Sequence, residues 1–164
     1  ISYLTIELRG PIPRELRPLI GQWIFGCDLC LDACPWNRFA TESPEPRFKP
    51  REVLVAPVLE ELLGWSQERF SRELKGSPIK RTKRRGLLRN VAVALGNSGD
   101  ARVVPALVRC LEEEAEPLVR GHAAWALGRL AGAEAQAALQ AARSDSDAFV
   151  RSEVEEALAE LIAG

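Results

Sequence analysis

Ala94-Leu95-Gly96 recurs as Ala126-Leu127-Gly128 and, more weakly, as Ala157-Leu158-Ala159, at spacings of 32 and 31 residues. Pro105-Ala106-Leu107 recurs as Ala137-Ala138-Leu139 at 32, and Arg89, Arg120 and Arg151 stand 31 apart. These three arginines are expected to open the corresponding helices. A fixed period with two apolar helical stripes per unit specifies a stacked helical solenoid. Ala92, Ala94, Ala123, Ala124 and Ala126 are small enough to let neighbouring helices approach closely. A solenoid is an interaction scaffold, so this half of the chain points to binding and not to chemistry.

The period is shorter than the usual HEAT or armadillo length and resembles the short HEAT-like class. Upstream, everything after residue 56 reads as helix. Pro57 is expected to open a helix reaching Leu63, and Ser66 to cap a second running to about Lys75, with Gly76 as its stop. Gly76-Ser77-Pro78 is a turn. Residues 40–50 hold three prolines and no periodicity, which marks a linker. Pro13-Arg14-Glu15-Leu16 looks like a helix start, and Gly21 and Gly26 flank Trp23-Ile24-Phe25. Ile1–Leu8 fits either a short extended segment or a helix. The expected organisation is a Pro/Gly-punctuated, cysteine-bearing segment over 1–39, a linker over 40–56 and a helical repeat domain over 57–164, a mainly α chain.

Charge is uneven. The net charge of −1 hides residues 69–89, where nine basic side chains face Glu73 alone. Such a stretch in a near-neutral protein is a local anion-binding surface, against the plainer reading of a solvated helix face. At 46% apolar and 27% charged the chain is otherwise ordinary. No apolar run is long enough to span a bilayer. The chain contains no Met, so it is expected to be a processed or excised piece with residues missing upstream of Ile1.

The chemistry sits in Cys27-Asp28-Leu29-Cys30-Leu31-Asp32-Ala33-Cys34-Pro35. Two thiolates separated by two residues on a tight turn can reach one metal. A third thiolate four residues on, followed by Pro, matches the tail of the bacterial ferredoxin run C-x2-C-x2-C-x3-C-P, whose last Cys serves the other cluster. Cys27 and Cys30 then belong to one [4Fe–4S] cluster and Cys34 to a second, with further ligands from outside the chain. Structural zinc needs four N or S ligands, and only Cys110 and His122 remain, both within the repeats. A redox dithiol at Cys27 and Cys30 lacks a βαβ context. Cys110, between Val108 and Leu111, reads as core, as do His122 and Trp125. Trp36 fits packing around a cluster better than lining a pocket.

Ile1-Ser2-Tyr3-Leu4-Thr5-Ile6-Glu7, the Gly26–Asn37 cysteine run and Arg89-Asn90…Ala94-Leu95-Gly96-Asn97 together resemble the C-terminal part of the epoxyqueuosine reductase family. The resemblance implies a ferredoxin-like segment followed by a HEAT-like domain. It also implies an oxidoreductase that reduces epoxyqueuosine at wobble position 34 of tRNA in queuosine biosynthesis. The implied cofactors are cobalamin and two [4Fe–4S] clusters. The implied partners are the tRNA anticodon stem-loop and an electron donor, in a cytoplasmic, monomeric protein with no membrane attachment. Carried over by position, Cys27 and Cys30 are ligands of one cluster and Cys34 of the other. Ser2 and Asp28 lie near the corrin. Arg9, Lys80, Arg81, Lys83, Arg84, Arg85 and Arg89 lie on the tRNA-facing side. The family's catalytic acid, most of its cobalamin pocket and its first cysteine run lie upstream, so this piece alone is expected to be inactive. Two alternatives are a ferredoxin-type electron carrier fused to a scaffold and a non-catalytic HEAT-like adaptor whose basic loop binds an acidic protein.

Overall fold

The computed structural model describes residues 1–163; Gly164, the last residue of the expected repeat domain, lies outside them. The described residues form helices and helical turns, with no strand among them. After a π-helical turn at Tyr3–Glu7 come α1 (Arg17–Ile20), α2 (Leu29–Asp32), α3 (Leu59–Leu63) and α4 (Gln67–Glu73). The longer helices follow: α5 (Lys83–Asn97), α6 (Val104–Glu113), α7 (Pro117–Leu130), α8 (Ala133–Ala141) and α9 (Ala148–Ala163). No helix among the described residues is long and apolar enough to cross a membrane.

The repeat period becomes two layers. α5, α7 and α9 pack side by side as an inner layer, and α3, α6 and α8 form the outer one. The small-residue motif sets the inner spacing. A methyl group on Gly96 would lie 2.8 Å from both Cα and Cβ of Ala126, and one on Gly128 would lie 2.8 Å from Cβ of Ala157. The glycine of each motif therefore receives the alanine of the next. Ala92, Ala94, Ala123, Ala124 and Ala126 are fully buried, which suits helices in such close contact.

Adjacent repeats are also joined by ion pairs from arginine to the loop before the next inner helix. Arg120 grips Asp145 through Nε and Nη2 (3.0 and 2.9 Å), and Arg84 grips Glu114 through Nη1 and Nη2 (3.0 and 2.5 Å). Hydrogen bonding from Arg120 holds the Asp145 carboxyl below its usual pKa. Burial acts to raise that of Glu114, but Arg84 and neighbouring backbone N–H groups outweigh it, leaving it lowered. Arg120 and Arg151 lie in the first turns of α7 and α9 as expected. Arg89 does not open its helix, because α5 begins at Lys83. It stands one residue closer to its Ala-Leu-Gly motif than Arg120 does, which rotates it by about 100° around the helix and off the inter-repeat edge.

Ser66 caps α4 by accepting from the Arg69 N–H at 3.2 Å. The helix ends at Glu73, short of Gly76, and α3 starts two residues after Pro57. In the 40–56 stretch, Arg51 donates to the carbonyls of Glu73 (2.5 Å) and Lys75 (2.6 Å), so the linker is tied to the end of α4.

Residues 1–26 are packed onto the repeat helices. They lie against the inner helices and share their core: Ile12 and Ile20 belong to the same buried cluster as α5, α7 and α9. Asn97 donates to the carbonyls of Arg17 and Gly21 at 2.8 Å. The Ile12 N–H donates to Nε2 of His122 at 3.1 Å, while Nδ1 of His122 lies 2.7 Å from the Leu118 carbonyl. That pairing fits a neutral ring protonated on Nδ1. Burial, with Arg17 nearby, pushes the His122 pKa well below its ordinary value. On α9, Glu153 receives Arg17 (2.7 and 2.5 Å) and Arg14 (2.5 Å), and Arg14 also reaches Glu156 and Glu160.

Candidate functional site: the cysteine loop and the basic face

The cysteine loop leaves this body at Gly26. Its backbone has φ of +63°, and its N–H donates to Oγ1 of Thr5 at 2.9 Å, so the loop starts from a fixed point. Asp28 takes a left-handed φ of +48° between Cys27 and Cys30, reversing the chain between the two thiols. α2 then ends at Asp32, the Cys34 N–H bonds the Leu31 carbonyl at 3.0 Å, and Pro35 starts a new helical turn over Pro35–Phe39. Cys34 thus sits at the junction of two short helical pieces. Asn37 donates to the Leu31 carbonyl and braces that junction.

Cys27 and Cys34 are half-buried, Cys30 is exposed, and all three are free thiols. Among the described residues, no three His, Cys, Asp or Glu side chains converge as a metal-binding group. The donor set nevertheless suits iron–sulfur ligation in part: soft thiolates on a reversing turn, accessible, with a Cys-Pro junction that starts a separate helical piece. A cubane needs four ligands, so the three thiols fit as a partial ligand set. Ser2 lies close by. A methyl on Gly26 would stand 3.9 Å from its Oγ, which puts Ser2 near the base of the loop that carries Asp28, and both residues are exposed. Cys110 is buried in the solenoid, and desolvation raises its thiol pKa to about 12, in keeping with a core role. His122 and Trp125 are also buried. Trp36 is 75% exposed and lies 5.7 Å from Phe39, ring centre to ring centre.

The basic residues divide into two groups. Arg9 and Arg81, 72 residues apart in sequence, meet directly. Arg9 Nη1 donates to the Arg81 carbonyl at 2.6 Å, and Arg81 Nε pairs with Glu7 at 2.8 Å. Lys80, Lys83 and Arg85 are exposed with them. Lys83 has φ of +62°, a conformation costing a non-glycine residue about 1–3 kcal/mol, at the start of α5. Its first turn contains no acid, so the helix N-terminus adds to the positive potential there.

For Arg84 and Arg89 the expectation of a tRNA-facing role is corrected. Arg84 is spent on Glu114 and on the Trp65 carbonyl (2.6 Å). Arg89 is 1% exposed. Its five N–H donors are all used, on the carbonyls of Leu4, Leu8 and Gly10 and twice on Oδ1 of Asn90. Burial, with Arg9, Arg85 and Arg17 near, lowers its pKa to about 10. A buried guanidinium with no free donor cannot hold a phosphate. The sequence gives no role to Asn90, Asn97, Arg14, Arg17 and Glu153, all of which tie the N-terminal segment to the repeat helices. The available signal was the presence of Asn90, and of Glu153, inside apolar helical stripes, where a polar side chain needs a partner.

Comparison with known proteins agrees with both halves. Residues 1–37 match the 4Fe-4S double cluster binding domain family, and residues 81–159 match the HEAT repeats family. The epoxyqueuosine reductase of Escherichia coli (strain K12) is 49% identical over 130 residues, covering 79% of this chain and 34% of the relative. That of Shigella dysenteriae serotype 1 is 48% identical over 129 residues, with the same coverage of each chain. A crystal structure of selenomethionine-labelled epoxyqueuosine reductase superimposes with a TM-score of 0.89 at 28% identity, covering 98% of this chain and 43% of that one. A crystal structure of epoxyqueuosine reductase with an epoxyqueuosine-modified tRNA-Tyr stem loop gives 0.83 at 27% identity, with the same coverage. By sequence and by fold the chain is similar to the epoxyqueuosine reductases over most of its own length, and it spans 34% of the length of these curated relatives.

Proposed function

We propose that this chain supplies the cluster-ligand loop and the tRNA-holding face of a cytoplasmic reductase that converts epoxyqueuosine to queuosine at wobble position 34 of tRNA. The observation that supports this best is that both features are mounted on one body. The Glu7–Arg9 stretch is bonded to Arg81, and the same N-terminal segment leads to the cysteine loop at Gly26. A nucleic acid held at the basic face is therefore at a set distance from the thiols.

In this reading Cys27 and Cys30 ligate one [4Fe–4S] cluster and Cys34 the other, with the remaining ligands supplied from outside this chain. Ser2 and Asp28 border cobalamin. When bound, the clusters would pass low-potential electrons singly from an external donor to cobalamin, which would supply the strongly reducing centre for the epoxide. The residues here orient and insulate. Lys80, Lys83 and Arg85, with Arg9 and Arg81, neutralise backbone phosphates and set register without reading sequence. Nucleotide 34 lies in a loop, so its base is presented without melting a helix.

Two measurements on the full-length protein test the proposal. Spectroscopy that distinguishes the clusters should find Cys27→Ala and Cys30→Ala damaging one cluster and Cys34→Ala the other; identical losses in all three would overturn the ligand division. Binding of tRNA across a salt series should show log affinity falling with log salt. Replacing Lys80, Lys83 and Arg85 by Ala should flatten that slope by about 2 to 3 and weaken cognate tRNAs alike. Arg84→Ala should leave the slope unchanged and lower stability instead. Wild-type protein that converts no epoxyqueuosine-containing tRNA but exchanges electrons would favour a ferredoxin-type carrier; a lack of bound iron would favour an adaptor.

A further inference from the structure

Helix α5 carries two kinds of residue on two faces. Its first turn presents Lys83 and Arg85 to solvent. Two turns on, Arg89 and Asn90 are both 1% exposed and face the irregular N-terminal segment. Arg89 holds the carbonyls of Leu4 (2.7 Å), Leu8 (3.0 Å) and Gly10 (2.7 Å). Asn90 donates to the carbonyls of Thr5 (2.7 Å) and Ile24 (2.9 Å), while its Oδ1 accepts from Arg89 at 2.8 and 3.1 Å. Five backbone carbonyls, four from residues 4–10 and one from Ile24, thus end on two adjacent side chains. Those stretches are the arms that lead to Ser2 on one side and to Gly26 and Cys27 on the other. Thr5 joins them again by accepting from the Gly26 N–H.

We infer that Arg89 and Asn90 are positioning residues that fix the base of the cysteine loop relative to the basic face. Neither touches substrate or cluster; both act through the carbonyls they hold. A single π-helical turn (Tyr3–Glu7) and the irregular stretches beyond it cannot satisfy all their carbonyls as a long regular helix does, and buried carbonyls need donors. These two side chains supply them from the helix whose N-terminus carries the phosphate-facing cations. The distance between the held tRNA and the loop is thereby set by one helix and not by the proline-rich linker. The inference rests on the proposed function for its catalytic consequence, but the clamp itself does not.

Asn90→Asp is the discriminating variant in the full-length protein. The carboxylate keeps the contact to Arg89 and the volume, but it cannot donate to Thr5 and Ile24. Backbone hydrogen exchange over residues 4–26 should accelerate at least tenfold while α7 and α9 keep their protection. With epoxyqueuosine-modified tRNA, affinity and salt slope should stay within twofold of wild type, and the single-turnover rate should fall 10- to 100-fold. Arg89→Lys, which cannot reach three carbonyls at once, should behave alike, and Asn90→Gln should recover part of the rate. Unchanged exchange over 4–26 would overturn the clamp whatever the enzyme does. Accelerated exchange with an unchanged rate, or a rate and affinity that fall together, would overturn the positioning role. Wild-type protein that fails to turn over the modified tRNA would instead remove the proposed function, leaving exchange to decide the clamp.

Discussion

Glu153→Ala should destabilise the protein by about 3–5 kcal/mol, the largest effect expected of a single polar truncation here. Arg17 is 1% exposed, and two of its three hydrogen bonds end on Glu153. The third goes to the Ile12 carbonyl at 2.8 Å, and Trp125 lies under the guanidinium at 5.5 Å. Removing the carboxylate leaves a buried cation with neither counter-ion nor solvent. Arg14 suffers less, because Glu156 and Glu160 remain to it and its side chain reaches water. With a urea dependence of about 2 kcal/mol per molar, the unfolding midpoint should drop by roughly 2 M. The double replacement Arg17→Met and Glu153→Leu should recover most of that loss, since a packed apolar pair avoids the desolvation cost. A midpoint for Glu153→Ala within 0.3 M of wild type, about 0.6 kcal/mol, would show that the N-terminal segment is held by its apolar contacts alone.

That ion-pair cluster also marks where the sequence stopped being readable. The solenoid was legible because its signal is local: a small-residue motif at fixed period reports helix contact within and between units. Ser66 and the Gly-Ser-Pro turn were legible for the same reason, since capping acts over three or four residues. The cysteine run was legible because ligand spacing is itself the chemistry. The path of residues 1–26 was not, because its partners lie 66 to 146 residues away: Glu153 and Glu160 for Arg14, Asn90 for Ile24, His122 for Ile12. No periodicity encodes such pairings. The basic stretch shows the same limit in a finer form. Nine cations within residues 69–89 read as one surface, yet helical geometry turned Arg89 inward and gave Arg84 to Glu114. Composition located the face, and only the helix phase said which of its members reach solvent.

The second large effect concerns the seam between inner helices. Gly96→Leu places a branched side chain where even a methyl group would stand 2.8 Å from the backbone of Ala126 and 3.0 Å from the ring of Trp125. Backbone cannot rotate away as a flexible side chain can, so α5 and α7 must separate. Overpacking of this kind costs about 1–3 kcal/mol when neighbours can yield, and here the neighbour is a helix backbone at the centre of the inner layer, so a loss of at least 3 kcal/mol is expected. Gly96→Ala is the informative smaller step. It gains about 1 kcal/mol of helix propensity and loses more than that to the contact, for a net destabilisation of roughly 1–2 kcal/mol. Ala126→Gly alone should also destabilise, by about 1 kcal/mol of propensity. Combined, the two should fall well short of additive, because the methyl group moves from one helix to the other across the same seam. Chemical denaturation of the four proteins gives the coupling directly. Simple additivity, with Gly96→Ala more stable than wild type, would mean that the helices tolerate the extra carbon and that the glycine does not set their spacing.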